Sequence, residues 1–344
     1  MNHAQLEATA QAMCADGKGL LAMDESEPTC NKRFAALGIA QSGEMRRAYR
    51  DLLANAPELN RSIAGAILCD ETIRQQTLAG QPFARALADA GIVPGIKVDA
   101  GTVELAGHPG EKITQGLDGL RERLADYVEL GARFAKWRAV IAIDVVLPGQ
   151  ACIAANAHAL ARYAALCQEA GLVPIVEPEV LMDGAHTLAR CAEVTEQVLC
   201  ALFAQLREQG VLLEGVVLKP NMVLPGLACA QQESAAVIAD ATLACLRRAV
   251  PAAVPAIAFL SGGQSPELAS QRLAAMHAGD GPPLPWALTF SFARAIQQPA
   301  LALWRGLPAN VVPAQRALVH RADCNRAARL GQYGAAMEQA GILP

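Results

Sequence analysis

Short apolar, β-branched runs alternate along this chain with longer stretches whose apolar positions recur at helical spacing. The pattern predicts extended segments at 19–24 (GLLAMD), 64–70 (AGAILCD), 92–98 (IVPGIKV), 133–137 (RFAKW), 172–177 (LVPIVE), 213–218 (LEGVVL), 256–261 (AIAFLS) and 286–291 (WALTFS). Helices are expected in the gaps, most clearly at 117–130, 152–170, 187–209, 232–248 and 266–277. Eight βα repeats predict an α/β fold, a single (β/α)8 TIM barrel with extra helices at both ends of the chain. A doubly wound sheet is the alternative, but neither GxGxxG nor GxxxxGK is present to support it. No Gly/Ser or Pro-rich linker divides the chain, so 1–344 reads as one domain, with a barrel core at about 17–305 and a helical tail at 306–344.

With 344 residues, 53% of them hydrophobic and 18% charged, the chain can bury a large core. Its net charge of −4 offers no broad electrostatic argument for nucleic acid or an anionic membrane as partner. The N-terminus reads as an amphipathic helix, since it carries an acid and has no basic region followed by an apolar core. The run AVPAAVPAIAFL is too short for a membrane span and is broken by prolines. A soluble cytoplasmic protein is expected. The ten cysteines, with no zinc or redox spacing, read as reduced thiols, and the scattered histidines give no HxH or HExxH metal motif.

Only six of the 29 basic residues are lysines, and three of those, Lys97, Lys136 and Lys219, end predicted strands. A lone strand-end lysine commonly just reaches solvent, but alternate residues of a strand share a face. That rule pairs Asp24 with Ser26, Lys97 with Asp99, Lys136 with Arg138, Glu177 with Glu179, and Lys219 with Asn221. In a barrel the C-terminal strand ends surround one mouth, so these groups are expected to converge. FLSGGQSPE is a strand, a glycine turn and a helix start, suited to an oxyanion, and Arg294 follows the eighth strand. Phosphates in barrels often sit after strands seven and eight.

These residues suggest amine catalysis. An ordinary lysine is only about 0.04% unprotonated at pH 7, so a nucleophilic one needs a suppressed charge, expected here from an apolar wall and the neighbouring Lys136. Its imine with a ketone, once protonated, accepts the electrons released when the adjacent carbon–carbon bond breaks. A tuned carboxylate must move the protons, and Lys219, Glu177 and Asp24 meet those needs.

The stretches GKGLLAMDES (17–26), GAILCDETI (65–73), GIKVDAG (95–101), RFAKWR (133–138), IVEPEV (175–180), LKPNMV (218–223), FLSGGQS (259–265) and LTFSFARA (288–295) together resemble class I fructose-bisphosphate aldolase, with a first loop similar to the bacterial and plastid branch. The resemblance implies a lyase of glycolysis and gluconeogenesis that cleaves fructose 1,6-bisphosphate reversibly to dihydroxyacetone phosphate and glyceraldehyde 3-phosphate. It implies no cofactor and no metal, and a homotetramer. By the same resemblance Lys219 forms the Schiff base, Glu177 is the acid/base, Asp24 takes the carbon-4 hydroxyl proton, and Lys136 steadies negative charge, with Glu179 and Arg138 in its cluster. Ser261, Gly262, Gly263 and Arg294 resemble the carbon-1 phosphate site, and Lys97, Ser26 and Arg33 the residues near the carbon-6 phosphate.

Two departures stand out. Glu27 and Pro28 replace a neutral Thr-Gly of the animal pattern, placing an acid near the expected far phosphate. The chain stops at EQAGILP, without the terminal tyrosine that animal relatives use for proton exchange on the enamine; Tyr333 is nearby but matches poorly, so either Glu177 serves that step alone or the exchange is slower. The competing readings are a silent sugar-phosphate-binding scaffold, a metal-dependent aldolase lacking histidine ligands here, and imine chemistry on another ketose phosphate such as sedoheptulose 1,7-bisphosphate or fructose 1-phosphate.

Overall fold

In the computed structural model, which describes residues 2–278 and 283–340, all eight expected strands form and close on one another. The strands are β1 (Gly19–Ala22), β2 (Ile63–Leu68), β3 (Val93–Lys97), β4 (Thr102–Glu104), β5 (Lys112–Thr114), β6 (Phe134–Ile141), β7 (Val173–Val180), β8 (Val217–Leu218), β9 (Ala256–Phe259) and β10 (Ala287–Phe292). The barrel runs β1, β2, β3, β6, β7, β8, β9, β10 and back to β1, and every pairing is parallel. The short β4 and β5 make a separate antiparallel pair in the connection after β3, which the sequence pattern does not predict.

Helical segments 120–129, 150–169, 188–208, 235–249 and 266–277 cover the outside, close to their expected places. Between barrel and helices lies one large core, where Trp137 from β6 packs on Tyr163 with ring centroids 5.5 Å apart. Inside the barrel is a second core of Leu20, Ala22, Ile67, Phe134, Val173, Ile175, Val217, Ala256 and Ala258. Phe134 fills the axis because residue 95 is glycine: a Cβ there would stand 2.2 Å from the Phe134 ring. Burying that phenyl group contributes about 2–3 kcal/mol.

The N-terminal helix His3–Ala12 adds Leu6 and Ala10 to this inner core, with Met13 following. Leu6 Cβ lies 3.0 Å from the position of a Cβ on Gly215, just ahead of β8, so the helix closes the end of the barrel where the strands begin. Apolar residues therefore occupy that end, and the polar residues are left to the other. The predicted segment 213–218 yields only two strand residues. Buried Gln168 takes over the backbone before them, accepting from Leu212 N (2.9 Å) and donating to the carbonyls of Leu212 (2.7 Å) and Gly215 (3.3 Å).

At the C-terminal end, helices Val311–Arg329 and Ala335–Ala340 are tied together by Arg321, whose guanidinium donates to Glu338 Oε1 at 2.6 Å. Among the described residues no helix is long and apolar enough to cross a membrane, and all ten cysteines are free. The last residues, 341–344, on which the expectation about a terminal tyrosine falls, lie outside the described residues.

Candidate active site

Lys219 follows β8 directly, and its backbone N–H still donates to Val176 O at 2.8 Å, continuing the parallel ladder by one step. That step brings it beside Glu177 of β7. Lys219 Nζ lies 3.0 Å from Glu177 Oε1, while the other carboxylate oxygen, Oε2, lies 3.0 Å from Lys136 Nζ. Lys136, from β6, is in turn 2.8 Å from Asp24 Oδ2, just past the end of β1. The four side chains form a chain of alternating charge, and none of the four residues is more than 6% exposed.

Burial this deep opposes charge on every member, but the partners outweigh it. Burial pushes Asp24 upward, and Lys136 and Lys219 bring it down from 3.8 to about 2, so it is a carboxylate at neutral pH. Glu177 meets the same opposition from burial and is held below its ordinary value by Lys136, Lys219 and Arg138. Burial works against charge on Lys136 too, but Asp24 and Glu177 raise it above the usual lysine range, so it is a fixed cation. The setting of Lys219 differs from the expected apolar wall with a bare cation next to it: Glu177 stands between the two lysines and touches both.

The next residues outward continue the pattern. Arg138 is ion-paired with Glu179, and its backbone N–H donates to Asp99 Oδ2 at 3.3 Å. Asp99 also holds Lys97, with Nζ 2.7 Å from Oδ1. Four cations, Lys97, Lys136, Arg138 and Lys219, thus face four carboxylates, Asp24, Asp99, Glu177 and Glu179.

Ser261 is buried after β9, and Gly262 and Gly263 follow at φ +54° and +86°, a left-handed pair that residues with a Cβ rarely adopt. Ser265 caps the helix that starts at Pro266. The exposed Arg294 opens the helix Arg294–Trp304, and its Nη2 would be 3.4 Å from a Cβ on Gly263, so the arginine and the glycine turn are adjacent.

Two expected pairings do not form. Asn221 turns away from Lys219: it accepts from Val180 N (3.0 Å) and donates to Thr195 Oγ1 (3.2 Å) and Met222 O (3.0 Å). The alternation rule lapses there because β8 has ended and Pro220 intervenes. Ser26 likewise does not join Asp24; β1 has ended at Ala22, and Ser26 is exposed at the start of helix Glu27–Ala35, with its hydroxyl 3.1 Å from Thr29 Oγ1. Arg33, on that helix, is ion-paired with Glu25 and donates to Gln297 Oε1 (2.9 Å) and Gln298 Oε1 (3.3 Å), on the helix that Arg294 opens. Glu27 points to Arg46, 3.4 Å from its Nη2.

Sequence reasoning passed over Ser291. Register pairs it with Leu20, an interior residue, so its side chain faces the barrel axis; its Oγ is buried with no protein partner. Counting inward positions from Ala287 through Thr289 would have found it. Tyr333 is accounted for elsewhere, its hydroxyl donating to Glu338 Oε1 at 2.6 Å. Among the described residues one trio of possible metal ligands converges, His320, Cys324 and Glu338, in the C-terminal helices, and both Glu338 oxygens there accept from Arg321.

A closed parallel barrel with lysines and carboxylates gathered at the C-terminal strand ends is the architecture of a barrel enzyme, and the comparisons specify which. The family profile "Glycolytic: Fructose-bisphosphate aldolase class-I" matches residues 5–342. A probable fructose-bisphosphate aldolase class 1 from Xanthomonas campestris is 55% identical, covering 97% of this chain and 99% of its own. The cytosolic fructose-bisphosphate aldolase 6 of Arabidopsis thaliana is 52% identical over 96% of this chain and 91% of its own. The solved fructose-bisphosphate aldolase of Plasmodium falciparum, in complex with TRAP and a small-molecule inhibitor, superposes with a TM-score of 0.94 at 47% identity over 96% of each chain. The chain belongs to the class I fructose-bisphosphate aldolase family.

Proposed function

We propose that this protein cleaves fructose 1,6-bisphosphate reversibly to dihydroxyacetone phosphate and glyceraldehyde 3-phosphate, with Lys219 as the imine-forming nucleophile. The observation that carries the assignment is the shared carboxylate of Glu177, 3.0 Å from Lys219 Nζ and 3.0 Å from Lys136 Nζ. Glu177 takes a proton from the Lys219 ammonium, freeing the amine to attack the substrate's carbon-2 ketone. It returns a proton to the carbinolamine hydroxyl, which leaves as water.

Asp24, a carboxylate at neutral pH, then removes the carbon-4 hydroxyl proton. The carbon-3–carbon-4 bond breaks, its electron pair passes into the protonated imine to give an enamine, and glyceraldehyde 3-phosphate departs. Lys136, cationic between Asp24 and Glu177, steadies the oxygen charge that develops meanwhile. Lys136, which touches both carboxylates, passes the proton that Asp24 took on to Glu177. Glu177 delivers it to the enamine carbon, and addition of water to the resulting imine releases dihydroxyacetone phosphate and regenerates Lys219. Glu179 and Arg138 hold the outer side of this cluster. The imine is the electron sink, so the reading calls for no metal.

The carbon-1 phosphate sits on Ser261, Gly262, Gly263 and Arg294, where left-handed glycines present backbone N–H groups beside a guanidinium. Lys97 and Ser26 serve the carbon-6 phosphate. Arg33 is reassigned toward the Arg294 end, on the strength of its bonds to Gln297 and Gln298. The protein acts in the cytoplasm, in glycolysis and gluconeogenesis, as a homotetramer.

The test is a coupled assay of triose phosphate release, with fructose 1,6-bisphosphate, sedoheptulose 1,7-bisphosphate and fructose 1-phosphate compared in the presence of EDTA. Chelator-resistant turnover with the highest kcat/KM for fructose 1,6-bisphosphate is expected. No turnover of any ketose phosphate by folded protein would leave a binding scaffold as the reading.

A further inference from the structure

Asp24 sits on a segment with little regular structure to hold it, since β1 ends at Ala22 and helix 27–35 has not begun. Two buried side chains from outside the barrel grip the carbonyls on either side of it. Gln297, fully buried on helix Arg294–Trp304, donates through Nε2 to the carbonyl of Ala22. Arg50, on helix Gly43–Ala54, donates through Nη2 to the carbonyl of Glu25 at 3.1 Å and through Nη1 to Glu25 Oε2 at 2.7 Å.

The helix pattern gives Arg50 no obvious reason to be inside, yet only 2% of its surface is exposed. Its guanidinium lies 5.8 Å from the centroid of the Tyr49 ring, and Tyr49 donates to Gln297 Oε1 at 3.0 Å, so the two grips form one unit. Among the described residues Glu25 is the only carboxylate bonded to Arg50, and Arg33 shares it. A buried guanidinium held this way is costly unless its geometry is useful. What it fixes is the backbone next to Asp24.

We infer that Arg50 is a positioning residue for carbon–carbon bond cleavage. By holding Glu25 through both its side chain and its carbonyl, it sets where the Asp24 carboxylate meets the substrate's carbon-4 hydroxyl. The inference rests on the proposed role of Asp24. It separates two stages of the reaction: imine formation at Lys219 does not need Asp24, while cleavage does. Loosening the Asp24 backbone therefore slows cleavage and spares imine formation.

The test compares Arg50→Met, Arg50→Lys, Asp24→Asn and the double variant Asp24→Asn/Arg50→Met. For each, kcat and KM for fructose 1,6-bisphosphate are measured beside borohydride trapping of the dihydroxyacetone phosphate imine, normalised to folded protein by circular dichroism. Arg50→Met is expected to lower kcat by about tenfold or more, the scale of a small misplacement of a reacting group. KM and the trapped fraction stay within about twofold, and Arg50→Lys recovers part of the rate because an amine still reaches one acceptor of Glu25. The double variant is no slower than Asp24→Asn alone, since Arg50 acts through Asp24.

Trapping and kcat falling in parallel would overturn the inference, as would additive losses in the double variant. If Asp24→Asn itself cleaves at the normal rate, the role of Asp24 fails first and takes the inference with it. If Asp24→Asn is slow but Arg50→Met is not, the inference alone is lost. Should Arg50→Met fail to fold, Arg50→Lys carries the same comparison.

Discussion

Replacing Lys136 by methionine removes the cation from between two buried carboxylates while keeping nearly the same length of side chain. Lys136 Nζ is 2.8 Å from Asp24 and 3.0 Å from Glu177. At an effective dielectric constant of about 20, each contact amounts to about 6 kcal/mol of gross attraction. Most of that is offset by desolvation, and breaking a buried pair by removing one partner costs about 3–5 kcal/mol net.

The loss depends on pH, and its sign follows from Asp24. In the native protein its folded pKa is depressed from 3.8 to about 2, so it adds about 2 kcal/mol of stability that is present above pH 3.8 and lost as pH falls through about 2. Without Lys136, burial dominates and the folded pKa rises above the unfolded value. The variant then loses stability as pH rises through that new pKa. The stability gap between the two proteins consequently widens from pH 4 to pH 7, by about 1.4 kcal/mol for each unit that Asp24 rises. Urea unfolding at pH 4, 5, 6 and 7 measures it, with a gap of about 3–5 kcal/mol expected at pH 7. A gap that is the same at every pH would refute the reasoning, because it would mean that the carboxylates beside Lys136 do not change their proton occupancy.

Arg294→Ala should raise KM for fructose 1,6-bisphosphate about tenfold or more and leave a non-phosphorylated ketose unaffected; equal effects on both would count against a phosphate role. Gly263→Ala places a Cβ at φ +86° beside Arg294 and should cost about 1–3 kcal/mol by thermal unfolding, along with weaker substrate binding. Asn221→Ala leaves Val180 N and Thr195 without their buried partner and should lower stability by about 1–3 kcal/mol, while kcat per folded molecule holds. A selective loss of kcat in that variant would return Asn221 to the catalytic group.

Most of the barrel could be read in the sequence because buried parallel strands are continuous apolar runs, and all eight formed. The runs were less informative at their edges. At 213–218 the backbone is satisfied by Gln168, a residue remote in sequence, so only Val217 and Leu218 join the ladder. The hairpin of β4 and β5 has three-residue strands, β4 exposed throughout, too short to leave a periodic signal.

The core of the site was legible for the same reason as the strands. Lysines and carboxylates at the ends of apolar runs converge when those runs close into a barrel, and Lys136, Glu177 and Lys219 do so. The alternation rule failed past the strand ends, at Ser26, four residues beyond β1, and at Asn221, three beyond β8, where no ladder constrains the chain. The Arg50, Glu25 and Gln297 network left no trace in the sequence, since an arginine on an amphipathic helix looks like a surface residue until the fold sets its guanidinium 5.8 Å from the centroid of the Tyr49 ring, itself stacked on Trp304.

The central claim is that Lys219 forms the covalent imine, and borohydride trapping tests it most directly. The protein is incubated with dihydroxyacetone phosphate, reduced, digested and searched for the adduct by mass spectrometry, with Lys219→Met alongside. The account predicts the adduct on the peptide that contains Lys219, and neither adduct nor turnover in the folded variant. An adduct on Lys136 or Lys97, or substantial turnover by Lys219→Met, would contradict it.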